Sequence, residues 1–151
     1  MAPRLYLDAN FFIRLVESSR GQNDRHERLW DIIESGRLEA LTSWLSWSEV
    51  LVVPIRNGDG DLVAVYERLF TGETAPLLCR DIDRPVLREA ASLRARFPAL
   101  KSPDAIHIAT AGGHGCDWFV SADTRLQGIK GLNCLNPDRP SEIDRFLAAL
   151  P

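Results

Sequence analysis

Four acidic residues from distant parts of the chain stand at the ends of predicted elements, where a parallel sheet would bring them together. Asp8 closes a short strand, and Asp123 follows a strand that ends at Ser121. Asp104 lies in the first turn of a helix, where the helix dipole favours a carboxylate, and Glu49 lies in the helix after the second strand. Sites in open parallel sheets form beyond the carboxyl ends of the strands. We therefore expect these four carboxylates to share one rim of the sheet.

Such a cluster of carboxylates indicates a metal site. Carboxylates in one pocket repel one another, and they stay ionised at neutral pH only if positive charge lies among them. The histidines and cysteines are scattered along the chain without a zinc-like spacing, so the ligands would be oxygen atoms, which suit Mg²⁺ or Mn²⁺. A hard cation among carboxylates binds phosphate oxygens and lowers the pKa of a bound water for in-line attack. The pattern thus predicts metal-dependent phosphoester chemistry, with either one ion or two.

Four further polar residues lie near the acids in sequence. Asn10 and Ser121 are predicted to orient an acid or a metal-bound water, and Arg125 is close enough to contact a phosphate. His107 lies three residues after Asp104, on the same helix face. It is a candidate base or phosphate contact, but a packed residue hydrogen-bonded to Asp104 or to a backbone carbonyl is the favoured interpretation.

Each acid also has a structural explanation of its own. Asp8 can cap the helix that begins at Ala9, Asp104 can be an ordinary helix-start residue, and Asp123 can be a turn residue. Glu49 can simply face water. All four falling by chance on one predicted rim is much less plausible than any of these explanations alone, so the shared site is favoured.

The elements that must position these residues alternate between strand and helix. Hydrophobic periodicity and turn residues predict strands at 4–8, 38–42, 76–79, 117–121 and 132–135. They predict helices at 9–18, 25–34, 44–55, 61–70, 83–97, 103–111 and 141–150, with Ser43 capping the third and Ser102 the sixth. This alternation favours an α/β fold, a three-layer α/β/α sandwich with a mainly parallel sheet of about five strands. No linker or repeat interrupts residues 1–151, so we expect a single domain.

Composition excludes several classes of protein. The 151 residues are 45% hydrophobic and 26% charged, as in ordinary soluble globular proteins, and neither a membrane span nor a signal peptide is visible. We therefore expect a cytoplasmic protein with no membrane partner. The net charge of −3 does not favour a protein that binds nucleic acid through its overall charge. An enzyme that holds phosphates through metal ions is not excluded.

Five short segments resemble the PIN domain, and among PIN domains they look most like the VapC ribonuclease toxins of prokaryotic toxin–antitoxin pairs. The segments are YLDANFFI at 6–13, SEV at 48–50, SPDAIHIATA at 102–111, FVSADTRL at 119–126 and LNCLNP at 132–137. Two positions depart from the family pattern. Ala9 replaces a frequent Thr or Ser, so that Asn10 carries the polar function, and the loop directly after Asp123 holds Thr124 and Arg125 but no further acid.

The resemblance implies a Mg²⁺- or Mn²⁺-dependent endoribonuclease that cleaves RNA, such as tRNA or rRNA. Its catalytic and metal-binding acids would be Asp8, Glu49, Asp104 and Asp123, with Ser121 as the small polar residue before the last acid. The hypothesis is that Asp8 and Asp123 hold the principal ion, that the other two acids bind it directly or through water, and that one carboxylate takes the proton of the attacking water. The resemblance also implies a homodimer silenced by a cognate antitoxin protein.

Two alternatives come from other classes of function. One is a PIN-like module without activity that binds RNA or protein. The other is a metal-dependent phosphohydrolase of small molecules, because Asp8-Ala9-Asn10 resembles an aspartyl-phosphate loop. That chemistry would need a second Asp at position 10 and a lysine near the phosphate, and the sequence provides neither.

Overall fold

The strands of the protein form one parallel sheet. A computed structural model describes residues 1–19 and 21–151. The strands in this part of the chain are β1 (Arg4–Leu7), β2 (Glu39–Ser43), β3 (Leu77–Arg80), β4 (Trp118–Val120) and β5 (Cys134–Leu135). Their order across the sheet is β3-β2-β1-β4-β5, and all four pairings are parallel. Consecutive parallel strands need crossover connections, and helices supply them here.

Helices cover both faces of the sheet. They are α1 (Ala9–Glu17), α2 (Asp24–Glu34), α3 (Trp44–Arg56), α4 (Gly60–Thr71), α5 (Arg84–Arg96), α6 (Ser102–Gly113) and α7 (Pro140–Ala148), with a 3₁₀ helix at Thr124–Gly128. One core contains α1, α2, α3, α4 and α7 packed on the sheet, and the other contains α5, α6 and the 3₁₀ helix. The predicted three-layer α/β/α sandwich with a five-stranded parallel sheet is therefore confirmed.

Alternation along β1 divides its side chains between the two cores. Leu5 and Leu7 enter the core with α1, whereas Tyr6 enters the core with α6, and all three are fully buried. Successive side chains of a strand point to opposite faces. A phenol hydroxyl is therefore carried into the layer that holds α6, two residues before Asp8.

The start of α6 differs from the prediction. Ser102 was expected to cap this helix, but Lys101 stands at the N-cap position, because its carbonyl accepts the first helical hydrogen bond from the Ala105 N–H at 3.0 Å. Ser102 is the first helical residue and Pro103 follows, still within the turn whose N–H groups need no helical partner. Asp104 keeps its predicted place in the first turn.

His26 on α2 is buried against α1, and its Nε2 has no hydrogen-bond partner among the described residues. Its ring centroid lies 5.1 Å from that of Phe11. Burial lowers the pKa of His26 from 6.5 to about 4, and the charge of Arg14 acts in the same direction. The folded protein therefore holds this imidazole neutral where an exposed histidine would be protonated.

We expect His26 to make the fold sensitive to acid. Between pH 6.5 and about 4 the unfolded chain binds a proton at His26 that the folded chain does not, so stability falls as the pH falls, by roughly 3 kcal/mol across that window. Urea unfolding of the wild type and of His26→Phe, at about pH 7 and about pH 4.5, measures the difference. The wild type should lose more stability than the variant on acidification, and equal losses would contradict this role.

Candidate active site

Asp8 and Asp123 follow neighbouring strands at the same edge of the sheet. Leu7 pairs with Val120 across β1 and β4, so the next residues along the two strands, Asp8 and Ser121, lie side by side. The Asp123 N–H donates to Ser121 Oγ at 3.1 Å. The buried Ser121 hydroxyl thus stands between the two acids, as the sequence predicts for a residue that orients them.

Asp8 is both a helix cap and a half-buried acid. Its Oδ1 accepts a hydrogen bond from the Phe11 N–H at 3.0 Å, which begins α1. Burial raises the pKa of Asp8 above its usual value, and the hydrogen bonds from Ser121 and from Phe11 act in the opposite direction. The capping explanation is therefore true, but it uses only one carboxylate oxygen and leaves the group in an environment that disfavours its charge.

Asp123 is held by Arg125. The guanidinium donates from Nε to Oδ1 at 3.0 Å and from Nη2 to Oδ2 at 2.5 Å, and the Arg125 N–H also donates to Oδ1 at 3.0 Å to begin the 3₁₀ helix. These hydrogen bonds lower the pKa of Asp123 below its usual range. Arg125, predicted to contact a phosphate, here neutralises the carboxylate beside it, and its side chain is mostly exposed.

The charges of two other acids, Asp123 and Glu49, act on Asp104 across the rim. It is half-buried at the start of α6, and burial raises its pKa. The negative charge of Asp123 raises the pKa further, and that of Glu49 adds a smaller effect, whereas Arg125 and His107 lower it. Since such effects need proximity, three of the four predicted acids are coupled here, and Glu49 also acts on Asp8.

Glu49 is tied to the interior by a chain of buried hydrogen bonds. His107 Nε2 lies 2.8 Å from Glu49 Oε1, and His107 Nδ1 lies 2.6 Å from the Tyr6 hydroxyl. Tyr6 in turn bonds to Ser43 Oγ at 2.9 Å. His107, Tyr6 and Ser43 are all buried, whereas the Glu49 side chain is 38% exposed. Glu49 therefore does not simply face water.

This chain fixes the tautomer of a neutral His107. An ionised Glu49 only accepts hydrogen bonds, so Nε2 must carry the proton and Nδ1 must accept from Tyr6. Burial raises the pKa of Tyr6, so its hydroxyl stays protonated and able to donate. The prediction that His107 is a packed, hydrogen-bonded residue is confirmed, but its side-chain partners are Glu49 and Tyr6 rather than Asp104.

The donor set suits a hard divalent cation in its chemistry. All four candidate donors are carboxylates, and burial raises the pKa values of Asp8 and Asp104, so a positive charge between them would be favourable. Within the described part of the chain, however, no three such groups stand close enough to form a closed metal cluster. The hydrogen bonding explains this, because Glu49 is turned to His107 and Asp123 to Arg125.

Two other polar residues, Asn10 and Asp117, lie away from the four acids. Asn10 is exposed on α1, and among the described residues no hydrogen bond joins it to the four acids, so the structure does not bring it to the cluster. Asp117 lies at the opposite end of the sheet, where its Oδ2 accepts from the Arg4 N–H at 2.8 Å. That acid is expected there because it begins a strand, whereas Asp8 and Asp123 follow the ends of theirs.

Sequence reasoning missed Tyr6 and Ser43. The signal for Tyr6 was available, because it is the one hydroxyl-bearing residue on an apolar strand and alternates with Leu5 and Leu7. Ser43 was predicted as the cap of α3. It holds that position, but its hydroxyl makes no cap hydrogen bond and bonds to Tyr6 instead.

Comparison with solved structures shows the same fold in toxin–antitoxin proteins. A toxin–antitoxin complex from Klebsiella pneumoniae superposes with a TM-score of 0.65 at 21% identity, over 88% of this chain and 97% of that one. FitAcB from Neisseria gonorrhoeae gives 0.69 at 20%, over 89% and 99%. The sarcin–ricin loop cleaving toxin VapC20 of Mycobacterium tuberculosis gives 0.65 at 13%, over 85% and 98%. At such identities the likeness is one of fold.

The family follows from the sequence itself. No curated protein matches the chain as a relative. The family described as "PIN domain" matches residues 5–132, a range that contains all of β1 except Arg4, the strands β2 to β4, and all four acids. The chain therefore belongs to the PIN domain family.

Proposed function

We propose that the protein is a Mg²⁺- or Mn²⁺-dependent endoribonuclease. The observation that carries this proposal is the position of Asp8 and Asp123 at the ends of the neighbouring strands β1 and β4, joined through Ser121, within a PIN domain. The VapC20 structure with the same fold belongs to a toxin that cleaves the sarcin–ricin loop, which supports RNA as the substrate class. The whole chain, 1–151, would act as one PIN-like domain.

The position of each residue at the rim indicates its role in hydrolysis. Asp8 and Asp123, at the ends of adjacent strands, would hold the principal ion, with Asp104 and Glu49 as ligands directly or through water. The bound ion would supply a Lewis acid for phosphate oxygens and a more acidic water. One of these carboxylates would take a proton from the water that attacks phosphorus as one ester P–O bond breaks, and the leaving oxygen would take up a proton from solvent. Arg125, released from Asp123, would reach the phosphate.

We further propose that Ser121 and His107 position these ligands. Ser121 lies between Asp8 and Asp123, and His107 holds Glu49 through Nε2 while Tyr6 fixes its other ring nitrogen. Such outer partners orient carboxylate ligands and raise their affinity for metal. Asn10 would act only through water, since it lies away from the acids.

A toxin role with protein partners fits an exposed apolar surface. Val52 and Ile55, which lie one turn apart near the end of α3, are 49% and 62% exposed, and large apolar side chains that are exposed together mark interaction sites. One of the similar folds comes from a toxin–antitoxin complex, and another comes from DNA-bound VapBC of Salmonella typhimurium. We propose a cognate antitoxin and a second copy of the chain as partners.

No helix in the described residues has the length and apolar character to traverse a bilayer, and we propose the cytoplasm as the place of action.

Cleavage of total RNA with Mg²⁺, with Mn²⁺ and with a chelator tests the proposed activity. The wild type should cut RNA with either ion and stop when the chelator is added. Asp104→Ala should cut RNA with neither Mg²⁺ nor Mn²⁺. A wild type that binds RNA without cutting it would favour the inactive binding module. Faster turnover of a small phosphoester dye than of RNA would favour the phosphohydrolase, the less supported alternative because Asn10 is exposed on α1.

A further inference from the structure

An apolar cavity lies beside the acids, between the turn that follows α5 and the 3₁₀ helix. Its volume is about 300 Å³. Its apolar walls, which define what we name the Phe97 cavity, are Phe97, Ala99, Leu100, Leu126 and Ile129. Leu100, Leu126 and Ile129 are also part of the buried core, so these walls are held in place by the fold.

The Phe97 cavity shares two residues with the acidic rim. Asp104 and Arg125 line the cavity; Asp104 is coupled to Asp123, and Arg125 donates to the Asp123 carboxylate. Any group in the cavity therefore lies next to whatever the acids hold. A polymer chain with its reacting linkage at the acids would place a neighbouring unit at this opening.

The charges at the opening suit a polyanion. Arg125 is exposed there, and Lys101, which follows wall residue Leu100, lies close enough for its charge to lower the pKa of Asp123. On Phe97 itself, the Arg96 guanidinium stands 5.9 Å from the ring centroid. Apolar and aromatic surface bordered by cations is what single-stranded nucleic acid needs, because each unit has an apolar base and an anionic phosphate.

The size of the cavity limits the occupant. Small-molecule pockets range from about 300 to 1,000 Å³, so this one suits a single ring system rather than a helix or an extended peptide. We propose that the Phe97 cavity receives one base of the RNA strand adjacent to the cleaved phosphodiester, and that it gives the enzyme its base preference. This subsite rests on the proposed ribonuclease function and deepens it.

Two substitutions fill the cavity from opposite sides. Ala99 is exposed in the turn after α5, and a Cβ on Gly128 would meet no atom within 4 Å, so Ala99→Phe and Gly128→Leu should fold. Ala95→Phe is the matched control, because Ala95 is exposed on α5 and does not line the cavity. Melting temperatures of all three variants confirm folding before any kinetic comparison.

Abasic scanning of an RNA oligomer around its mapped cleavage site tests the subsite. In the wild type one abasic position should raise KM by about tenfold, the effect of losing one stacked base. Ala99→Phe and Gly128→Leu should raise KM similarly for the intact oligomer, change kcat little, and show no further loss at that position, because the two changes remove one interaction. Ala95→Phe should behave as wild type. Filled variants with unchanged KM and unchanged base preference overturn the proposal.

A binding measurement separates this subsite from the proposed activity. The fluorescent base 2-aminopurine, placed at each oligomer position in turn, should change emission at one position on binding to wild type but not to Ala99→Phe. If the protein shows this signal but does not cut RNA, the subsite is supported and the proposed ribonuclease activity is contradicted. If it cuts RNA with no position-dependent signal, the ribonuclease activity is supported and the subsite is contradicted.

Discussion

Asp8→Asn and Asp104→Asn are each expected to slow RNA cleavage by about 10²–10³-fold while making the protein more stable. Both carboxylates have raised pKa values because of burial, and the charge of Asp123 adds to the effect on Asp104. A group whose folded pKa is raised costs stability once the pH exceeds that pKa, so an uncharged amide removes the cost at pH 7. We therefore expect the melting temperatures of both variants to rise.

The effect of these substitutions on the cleavage rate should be much larger than their effect on stability. Removing one group that stabilises charge in a transition state lowers rates by about 10²–10³-fold. Asn retains an oxygen that caps helices as well as Asp does, so Asp8→Asn keeps the hydrogen bond from Phe11 that begins α1. RNA cleavage assays and thermal melting without metal measure the two effects separately.

Asp83→Asn is the matched control for the cap. Asp83 also stands at a helix N-cap, where its Oδ1 accepts from the Val86 N–H at 3.0 Å, but it lies outside the acidic rim. We expect it to leave RNA cleavage unchanged. An Asp8→Asn variant that still cuts RNA in Mg²⁺ would disprove the assigned role of Asp8, and a variant that melts at a lower temperature would contradict the electrostatic explanation.

His107→Leu is expected to lower the affinity for Mn²⁺ and the rate of cleavage by about 10–100-fold. This is the usual effect of losing an outer partner of a metal ligand. The substitution removes the donor at 2.8 Å that holds Glu49 and the acceptor at 2.6 Å from Tyr6. His107→Gln should restore part of the function, because its amide N–H can replace Nε2–H toward Glu49. The measurements are the rate and the Mn²⁺ concentration for half-maximal cleavage.

A second pair of variants separates positioning from stability. Tyr6→Phe removes the hydroxyl that fixes His107 but keeps the stacked ring of Phe119, whose centroid lies 5.3 Å away. Tyr66→Phe removes the hydroxyl of an equally buried tyrosine in the opposite core, where that hydroxyl donates to Glu17. Only Tyr6→Phe should shift the Mn²⁺ requirement. Equal shifts in both variants, or none in His107→Leu, would show that His107 serves packing alone.

Strand order explains why much of the rim could be predicted from sequence. Asp8 and Asp123 each follow an apolar strand, and parallel strands place such residues at one edge. Asp104 is fixed by the first turn of an oily helix. These placements depend on local pattern and on a rule of topology, and neither requires knowledge of which side chains touch.

The errors concern contacts that local pattern does not contain. Asn10 was expected to orient Asp8 or a metal-bound water, and among the described residues no hydrogen bond joins it to an acid, so only the role through water stays a prediction. His107 was matched to Asp104, three residues away, whereas Glu49, 58 residues away, is its partner. Ser102 lost the cap because the preceding carbonyl accepts the first helical bond. Long-range pairing and the register of a helix start are set by tertiary packing.

The most direct test that the four acids form one metal site is a calorimetric titration of Mn²⁺ into the metal-free protein. The wild type should bind saturably, and Asp8→Asn, Glu49→Gln, Asp104→Asn and Asp123→Asn should each bind at least about tenfold more weakly. Asp117→Asn, at the opposite end of the sheet, should bind as the wild type does. No saturable binding by the wild type, or wild-type affinity in any of the four variants, would contradict a shared site.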